Sequence, residues 1–295
     1  MSRILSLAFV MQALRIAMPY LAAAMGGVWS ERAGVVNVAL EGTILVGSLG
    51  TIAGTLASGS PWIGLAVGLA SGISLQLVHA LAVLKGRANA IVSGFALNLL
   101  AAGGTRLLLR ALYDSSSNSP PIRPLAAATR SAVVATLLDP STWLVLLAVV
   151  GTIVALARTR LGLRVRAAGE HPEALASVGV SVVATRVVAV AVAGACAALA
   201  GAWLAFDQRQ FSSGMSGGRG FIALAAVVVG SWRPGRAALF CLAFGAAEAA
   251  QIALQDAAGS AHHLIQMLPY VATLVALMGV VGRTRPPAAL GREPE

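Results

Sequence analysis

The chain has 295 residues, of which 58% are hydrophobic and 11% charged, against roughly 25% charged in a soluble domain, and its mean hydropathy is +0.83. A water-soluble core of this size cannot hide that much apolar surface, so the surrounding solvent is lipid and the chain reads as a multi-pass membrane protein. Its net charge of +10 does not point to nucleic acid, because the arginines lie in clusters between apolar runs and no basic patch is interleaved with exposed aromatics.

A spanning helix needs about 20 mostly apolar residues. Runs that qualify are 5–28, 35–57, 62–84, 88–110, 136–157, 183–206, 237–256 and 263–281. The first could be broken around Pro19. A shorter run, 219–232, reads as a half-helix, a tilted short span or a re-entrant segment, forms that occur where backbone lines a cavity. The fold expected is an all-α transmembrane bundle of eight or nine helices forming one domain over 1–295. No small-residue cleavage site follows the first run, so no cleaved signal peptide is expected.

Taking Lys85/Arg87, the arginines of 158–166, Arg233/Arg236 and Arg283/Arg285/Arg292 as cytoplasmic gives one alternating path through the later helices. The Ser/Asn/Pro-rich loop 113–131 then lies outside, as a solvated loop and not a domain. Trp62, Trp143 and Trp203 sit near run ends, where interfacial anchors would be. The tail after Arg283 is expected to be disordered. Gly64, Gly68 and Gly72, and likewise Gly50 and Gly54, recur every four residues and place a smooth strip on one helix face. That strip serves packing within the chain or an interface between subunits. Cys196 and Cys241 lie inside apolar runs and read as reduced, packed thiols.

The polar stretch Arg158–Gly179 interrupts this pattern, within a cytoplasmic loop taken as 158–182. It holds four of the chain's 21 basic residues and two of its 11 acids. Proline is favoured at a helix's first position, acids in its first turn and glycine just past its end. Pro172, Glu170/Glu173 and Gly179 occupy those places and predict a docking helix of about seven residues, roughly 10 Å long. So short a helix is stable only when packed against something, its own bundle or a partner.

Three further groups could carry chemistry. Glu41, with Asn37 four residues back on one predicted helix face, and Glu248, with Gln251 three residues on, place carboxylates inside apolar runs. A charge at mid-bilayer costs on the order of 2.5–3.5 kcal/mol on insertion scales, so such groups face a cavity or a partner. Asn98 is the neutral polar residue of its span. Either these residues satisfy one another between helices or they line a polar path. Gly214-Met215-Ser216-Gly217-Gly218 matches G-x-S-x-G but lacks the strand–turn–helix context of that nucleophile signature. An intramembrane serine hydrolase would pair Ser216 with His262 or His263. Those two histidines are adjacent and have no further ligand nearby, so no metal site is expected. Lys85 is the only lysine and stands between Leu84 and Gly86, so the chain has no P-loop.

E-A-L-x-x-x-G (Glu173, Ala174, Gly179) resembles the core of the coupling loop in ABC-importer permeases, without its distal half. S-E-R-A-G-V-V-N-V-A-L-E-G (30–42), I-V-S-G-F-A-L-N-L-L-A (91–101), G-L-R-V-R-A-A-G-E-H-P (162–172), G-M-S-G-G-R-G-F-I-A-L-A-A-V-V-V-G (214–230) and L-P-Y-V-A-T-L (268–274) look like one branch. It is the branched-chain amino acid/simple-sugar permease family, and within it the shorter permease of nucleoside ABC importers. The resemblance covers roughly residues 16–290. It implies a non-catalytic permease subunit without a cofactor of its own, beside a second, longer permease chain. ATP would be bound by separate ATPase subunits, and an extracytoplasmic binding protein would deliver nucleosides or simple sugars. Gly169, Glu170, Pro172, Glu173, Ala174 and Gly179 would couple to the ATPase. Asn37, Glu41, Asn98, Glu248 and Gln251 would line the path. A secondary transporter, which needs no ATPase, is the competing class.

Overall fold

A computed structural model of the chain describes residues 7–123, 125, 139–255, 271, 278 and 285–291. Ten helices stand in order: α1 (Leu7–Arg32), α2 (Leu40–Ser58), α3 (Pro61–Ala80, extended by a π turn Leu81–Lys85), α4 (Ala90–Tyr113), α5 (Pro140–Arg158), α6 (Arg160–Glu170), α7 (Pro172–Ser177), α8 (Val182–Gln208), α9 (Arg219–Val229) and α10 (Pro234–Gln255). No strand occurs among the described residues. The nearest thing is an isolated bridge between Asn118 and Ser212.

Among the described residues seven helices are long and apolar enough to cross a membrane: α1 to α5, α8 and α10. The class is as expected and the count is lower than eight or nine. Run 219–232 contains only the 11-residue α9, too short to span. Run 263–281 lies outside the described residues, apart from 271 and 278. α1 passes through Pro19 without a break.

Several helix starts follow from local residues. Asn89, Asp139, Thr159 and Ser181 cap α4, α5, α6 and α8 by accepting bonds from the first free N–H groups. Pro61, Pro140 and Pro172 stand at first-turn positions, where the missing N–H costs nothing.

α1, α2 and α8 form the buried centre, α3 packs along α2 and α8, and α10 along α1. Small residues make this possible. A Cβ on Gly64 would stand 1.9 Å from Thr55 Oγ1, and one on Gly68 2.0 Å from Thr51 Oγ1. One on Gly72 would stand 2.4 Å from Ala198 Cβ, and Gly50 and Gly54 face Gly68 and Gly64 from the other side. The glycine strip therefore serves close approach inside the chain. α4 and α5 stand at the margin, with many apolar side chains on the outer surface, as helices in lipid do.

Trp62 and Trp143 are exposed at the starts of α3 and α5, fitting interfacial positions. Trp203 is a correction: it is 4% exposed and its indole N–H points to Thr142 Oγ1 at 3.4 Å, so it belongs to the core. Both cysteines are buried and free. The tail is a second correction. Ala289 N–H donates to Gly169 O at 2.8 Å and Gly291 N–H to Gly34 O at 3.3 Å, so residues 285–291 are docked on the basic end of the bundle.

Candidate functional site

Two segments of irregular backbone enter the membrane-spanning region. The first is 33–39, which joins α1 to α2. It does not turn back at the basic end but runs along α3: Val35 packs with Ala80 and Leu84, Val36 O meets His79 Nε2 at 3.1 Å, and Asn37 meets Gln76. Thr43, in the first turn of α2, stands level with Gly72. Gly72 is near the middle of the stretch Pro61–Lys85, so α2 starts near mid-membrane. Asn37 consequently precedes the helix and shares no helix face with Glu41, which corrects the spacing-based expectation.

Backbone at this depth must be satisfied by protein, and here amides do it. Asn37 and Gln76 exchange two bonds (3.0 and 3.1 Å), and Gln76 also donates to Thr43 Oγ1 at 2.9 Å. Asn98 of α4 donates to Val38 O at 3.0 Å and accepts from Gly42 N–H at 2.8 Å, which caps α2. Both Asn37 and Gln76 are wholly buried.

The second segment is 209–218. Its start pairs with the outer loop: Ile122 N–H donates to Arg209 O and Ser119 N–H to Phe211 O. It then descends through Gly214, Gly217 and Gly218, all at positive φ, to the start of α9. Gly218 is the N-cap at φ +82°, a conformation that glycine adopts without a Cβ penalty.

Glu41 joins the two segments. Its Oε1 accepts from Gly218 N–H and its Oε2 from Gly220 N–H, both at 2.7 Å. A half-buried carboxylate thus caps the N-terminus of α9, where unpaired N–H groups and the helix dipole favour negative charge. Gly220 must be glycine, because a Cβ there would stand 2.4 Å from Glu41 N. Arg219 donates to Met215 O (3.1 Å) and Ser216 O (3.3 Å) and lies 4.0 Å from Glu248. Glu248 of α10 also accepts the Tyr20 hydroxyl. Gln251 is half-buried three residues on. The mid-membrane cluster therefore brings together Asn37, Glu41, Asn98 and Glu248, each in named bonds.

Ser216 is 3% exposed, buried in the turn before α9. His262 and His263 lie outside the described residues. Among the described residues no group of three His, Cys, Asp or Glu could hold a metal.

The basic end carries the second candidate region. α6 and α7 follow each other with a break at His171. α7 is six residues, Pro172–Ser177, near the expected length, with Glu173 in its first turn and Gly179 beyond its end at φ +77°. Glu170 differs from expectation: it closes α6, and its carboxylate meets Arg32 at 4.0 Å and Ala288 N–H at 3.3 Å. Gly169 is pressed on the end of α1, where a Cβ would stand 2.1 Å from Arg32 O. Arg186 of α8 donates to Ala33 O at 3.0 Å and to Ala168 O at 3.3 Å. α7 itself projects: Leu175 is buried, whereas Glu173 and Ala174 are exposed and Val178 is 71% exposed.

Sequence reasoning missed Gln76, Arg186, Arg219 and Tyr20. Of these Arg186 and Arg219 carried a signal, as charges within or beside apolar runs. Gln76 and Tyr20 did not stand out from ordinary polar positions.

A profile of the family described as branched-chain amino acid transport system / permease component matches residues 9–278. The chain is 32% identical to the guanosine ABC transporter permease protein NupQ of Bacillus subtilis, over 93% of this chain and 92% of that protein. It is 32% identical to the nucleoside ABC transporter permease protein NupC of Lactococcus lactis subsp. cremoris, over 92% of each. A Haloferax volcanii protein assigned provisionally as the glucose ABC transporter permease TsgC13 is 34% identical over 90% of this chain and 88% of its own length.

Proposed function

The chain belongs to the branched-chain amino acid transport system permease family, and we propose that it works as one permease subunit of an ATP-driven importer of nucleosides or simple sugars in the plasma membrane. Two ATPase subunits beneath it bind and hydrolyse ATP, a second, longer permease stands beside it, and an extracytoplasmic binding protein delivers solute. The chain makes and breaks no bonds and needs no cofactor of its own.

One observation supports this reading: an exposed helix, α7, is joined through α6 to the start of a mid-membrane break. α7 follows α6, Gly169 of α6 abuts Arg32 O, and Arg186 ties Ala168 to Ala33, from which segment 33–39 leads to Glu41. A push on α7 is transmitted through packed backbone and not through a flexible loop. It moves the point where α2 and α9 start, which lies against the proposed path. Rigid-body displacement of this kind is how a packed bundle changes between two states.

The test is purification of the tagged chain from its native membrane in mild detergent, with mass spectrometry of what accompanies it, followed by uptake in proteoliposomes. An ATPase and a second permease should travel with it, and uptake should require ATP. Uptake that follows a proton gradient and ignores ATP depletion would make it a secondary transporter.

A further inference from the structure

Two aromatic rings beside the junction of Glu41 with α9 are not explained by the mid-membrane cluster. Phe95 of α4 and Phe221 of α9 lie side by side as a tilted pair, with ring centroids 6.3 Å apart and planes 30° apart. They are 50% and 41% exposed. Phe95 stands three residues before Asn98, which caps α2, and Phe221 follows Gly220, which binds Glu41. The pair therefore sits at the depth where α2 and α9 begin.

Exposed phenylalanine in a membrane protein ordinarily faces lipid, and three observations argue against that here. Gly217 is exposed on irregular backbone, directly before Gly218 and its bond to Glu41. Irregular backbone at membrane depth is tolerated where protein or a water-filled cavity covers it, and not against hydrocarbon. Arg106, further along α4, is exposed within the span and donates from Nε to Ser213 Oγ at 2.8 Å. This bond holds its guanidinium sideways toward 209–218, and an exposed charge held there is expensive against lipid. Glu41, a half-buried carboxylate, binds the N–H groups of Gly218 and Gly220 directly beside this backbone.

We propose that Phe95 and Phe221 form a stacking platform for the planar ring of a nucleoside on its way past Glu41, with the Arg106 and Ser213 side chains on the outer approach. This rests on the permease reading and narrows its substrate class. A flat heteroaromatic ring gains from an aromatic face whatever its edge pattern. Such a wall holds a base without demanding specific hydrogen bonds, as a passage needs. The exposed donors of the Arg106 guanidinium suit hydroxyl and carbonyl oxygens at the solute's edge.

The complete transporter, with its ATPases and binding protein in proteoliposomes, is assayed with radiolabelled guanosine and with glucose. Phe221→Leu and Phe95→Leu should each lower maximal guanosine uptake on the order of tenfold, equivalent to ~1.4 kcal/mol and within the range of one base–aromatic stack. Phe221→Tyr and Phe95→Tyr should retain it. Photolabelling with 8-azidoguanosine should mark peptides carrying Phe95 or Phe221, and excess guanosine should protect them. The proposal is overturned if the Leu variants keep guanosine uptake, if Tyr and Leu fail alike, or if the label falls elsewhere. A wild-type transporter that carries glucose and not guanosine overturns the platform while leaving the permease reading intact. Uptake that persists with the ATPases omitted overturns the permease reading itself.

Discussion

Arg186 holds Ala33 O and Ala168 O with a single guanidinium, at 3.0 and 3.3 Å, and so fastens the end of α6 to the start of the mid-membrane break. The residue is 2% exposed. Hydrogen bonds from a charged donor contribute roughly 1.5–3 kcal/mol each. Arg186→Gln should therefore lower the stability of the purified complex by about 2–3 kcal/mol, read as a lower thermal midpoint. It should also reduce uptake more than ATP hydrolysis. Arg186→Lys should rescue little, because a single ammonium lacks the planar fork that reaches both carbonyls. A lysine variant with normal stability and normal coupling would remove Arg186 from the transmission route.

Glu41 can be dissected in the same way. Its two oxygens accept from Gly218 and Gly220, and a glutamine can accept on only one side. Loss of an N-cap acceptor costs roughly 0.5–2 kcal/mol. Glu41→Ala should cost about 2 kcal/mol and Glu41→Gln about half of that. In both variants uptake should fall further than assembly with the partner subunits, measured by size exclusion. Equal losses in assembly and uptake would make Glu41 a structural cap and nothing more.

The long apolar runs made the spans legible, because hydrophobic length alone separates a spanning helix from a loop. The short helix α7 was legible too, since Pro172, Glu173 and Gly179 mark helix ends by local chemistry. What the one-dimensional pattern hid was the break at 33–39. Its residues (Ala33, Val35, Val36, Val38, Ala39) are as apolar as those of a helix. What keeps them out of a helix is a partner distant in sequence: Gln76 for Asn37, Asn98 for Val38 and Gly42, Arg186 for Ala33. Periodicity cannot reveal a tertiary hydrogen bond, so Asn37 was placed one turn from Glu41 on a helix that starts only at Leu40. Trp203 was misplaced for a related reason: closeness to the end of a run does not show which face packs against α5.

The glycine strip gives a test of packing that is independent of transport. A Cβ on Gly68 meets Thr51 Oγ1 at 2.0 Å and Gly47 O at 2.8 Å, whereas one on Gly103, in α4, meets nothing within 4 Å. Overpacking a tight contact typically costs about 1–3 kcal/mol. Gly68→Val should lower the thermal midpoint of the chain or prevent its accumulation in the membrane. Gly103→Val should leave the isolated chain as stable as the parent. Similar stability in both variants would show that α2 and α3 do not pack through this strip.

Gly179 separates an effect inside the chain from an effect on a partner. Its φ of +77° disfavours most side chains, yet a Cβ built there meets nothing within 4 Å. The cost of a substitution inside the chain is thus limited to the backbone, roughly 1–2 kcal/mol for a residue in the left-handed region. Asparagine tolerates that region better than other residues, so Gly179→Asn should insert, assemble and transport close to normally. Gly179→Arg should also insert, because its side chain has open space before it. It places a large charged group beside Val178, on the exposed surface that α7 presents. ATP hydrolysis in the reconstituted complex should continue in this variant while uptake falls about tenfold or more, the signature of lost transmission and not of misfolding. Gly169→Ala gives the contrasting case, since its Cβ would stand 2.1 Å from Arg32 O and it should fail at the stage of stability. Full uptake by Gly179→Arg would show that nothing docks on this end of α7, and the push that moves the break would have to enter the bundle elsewhere.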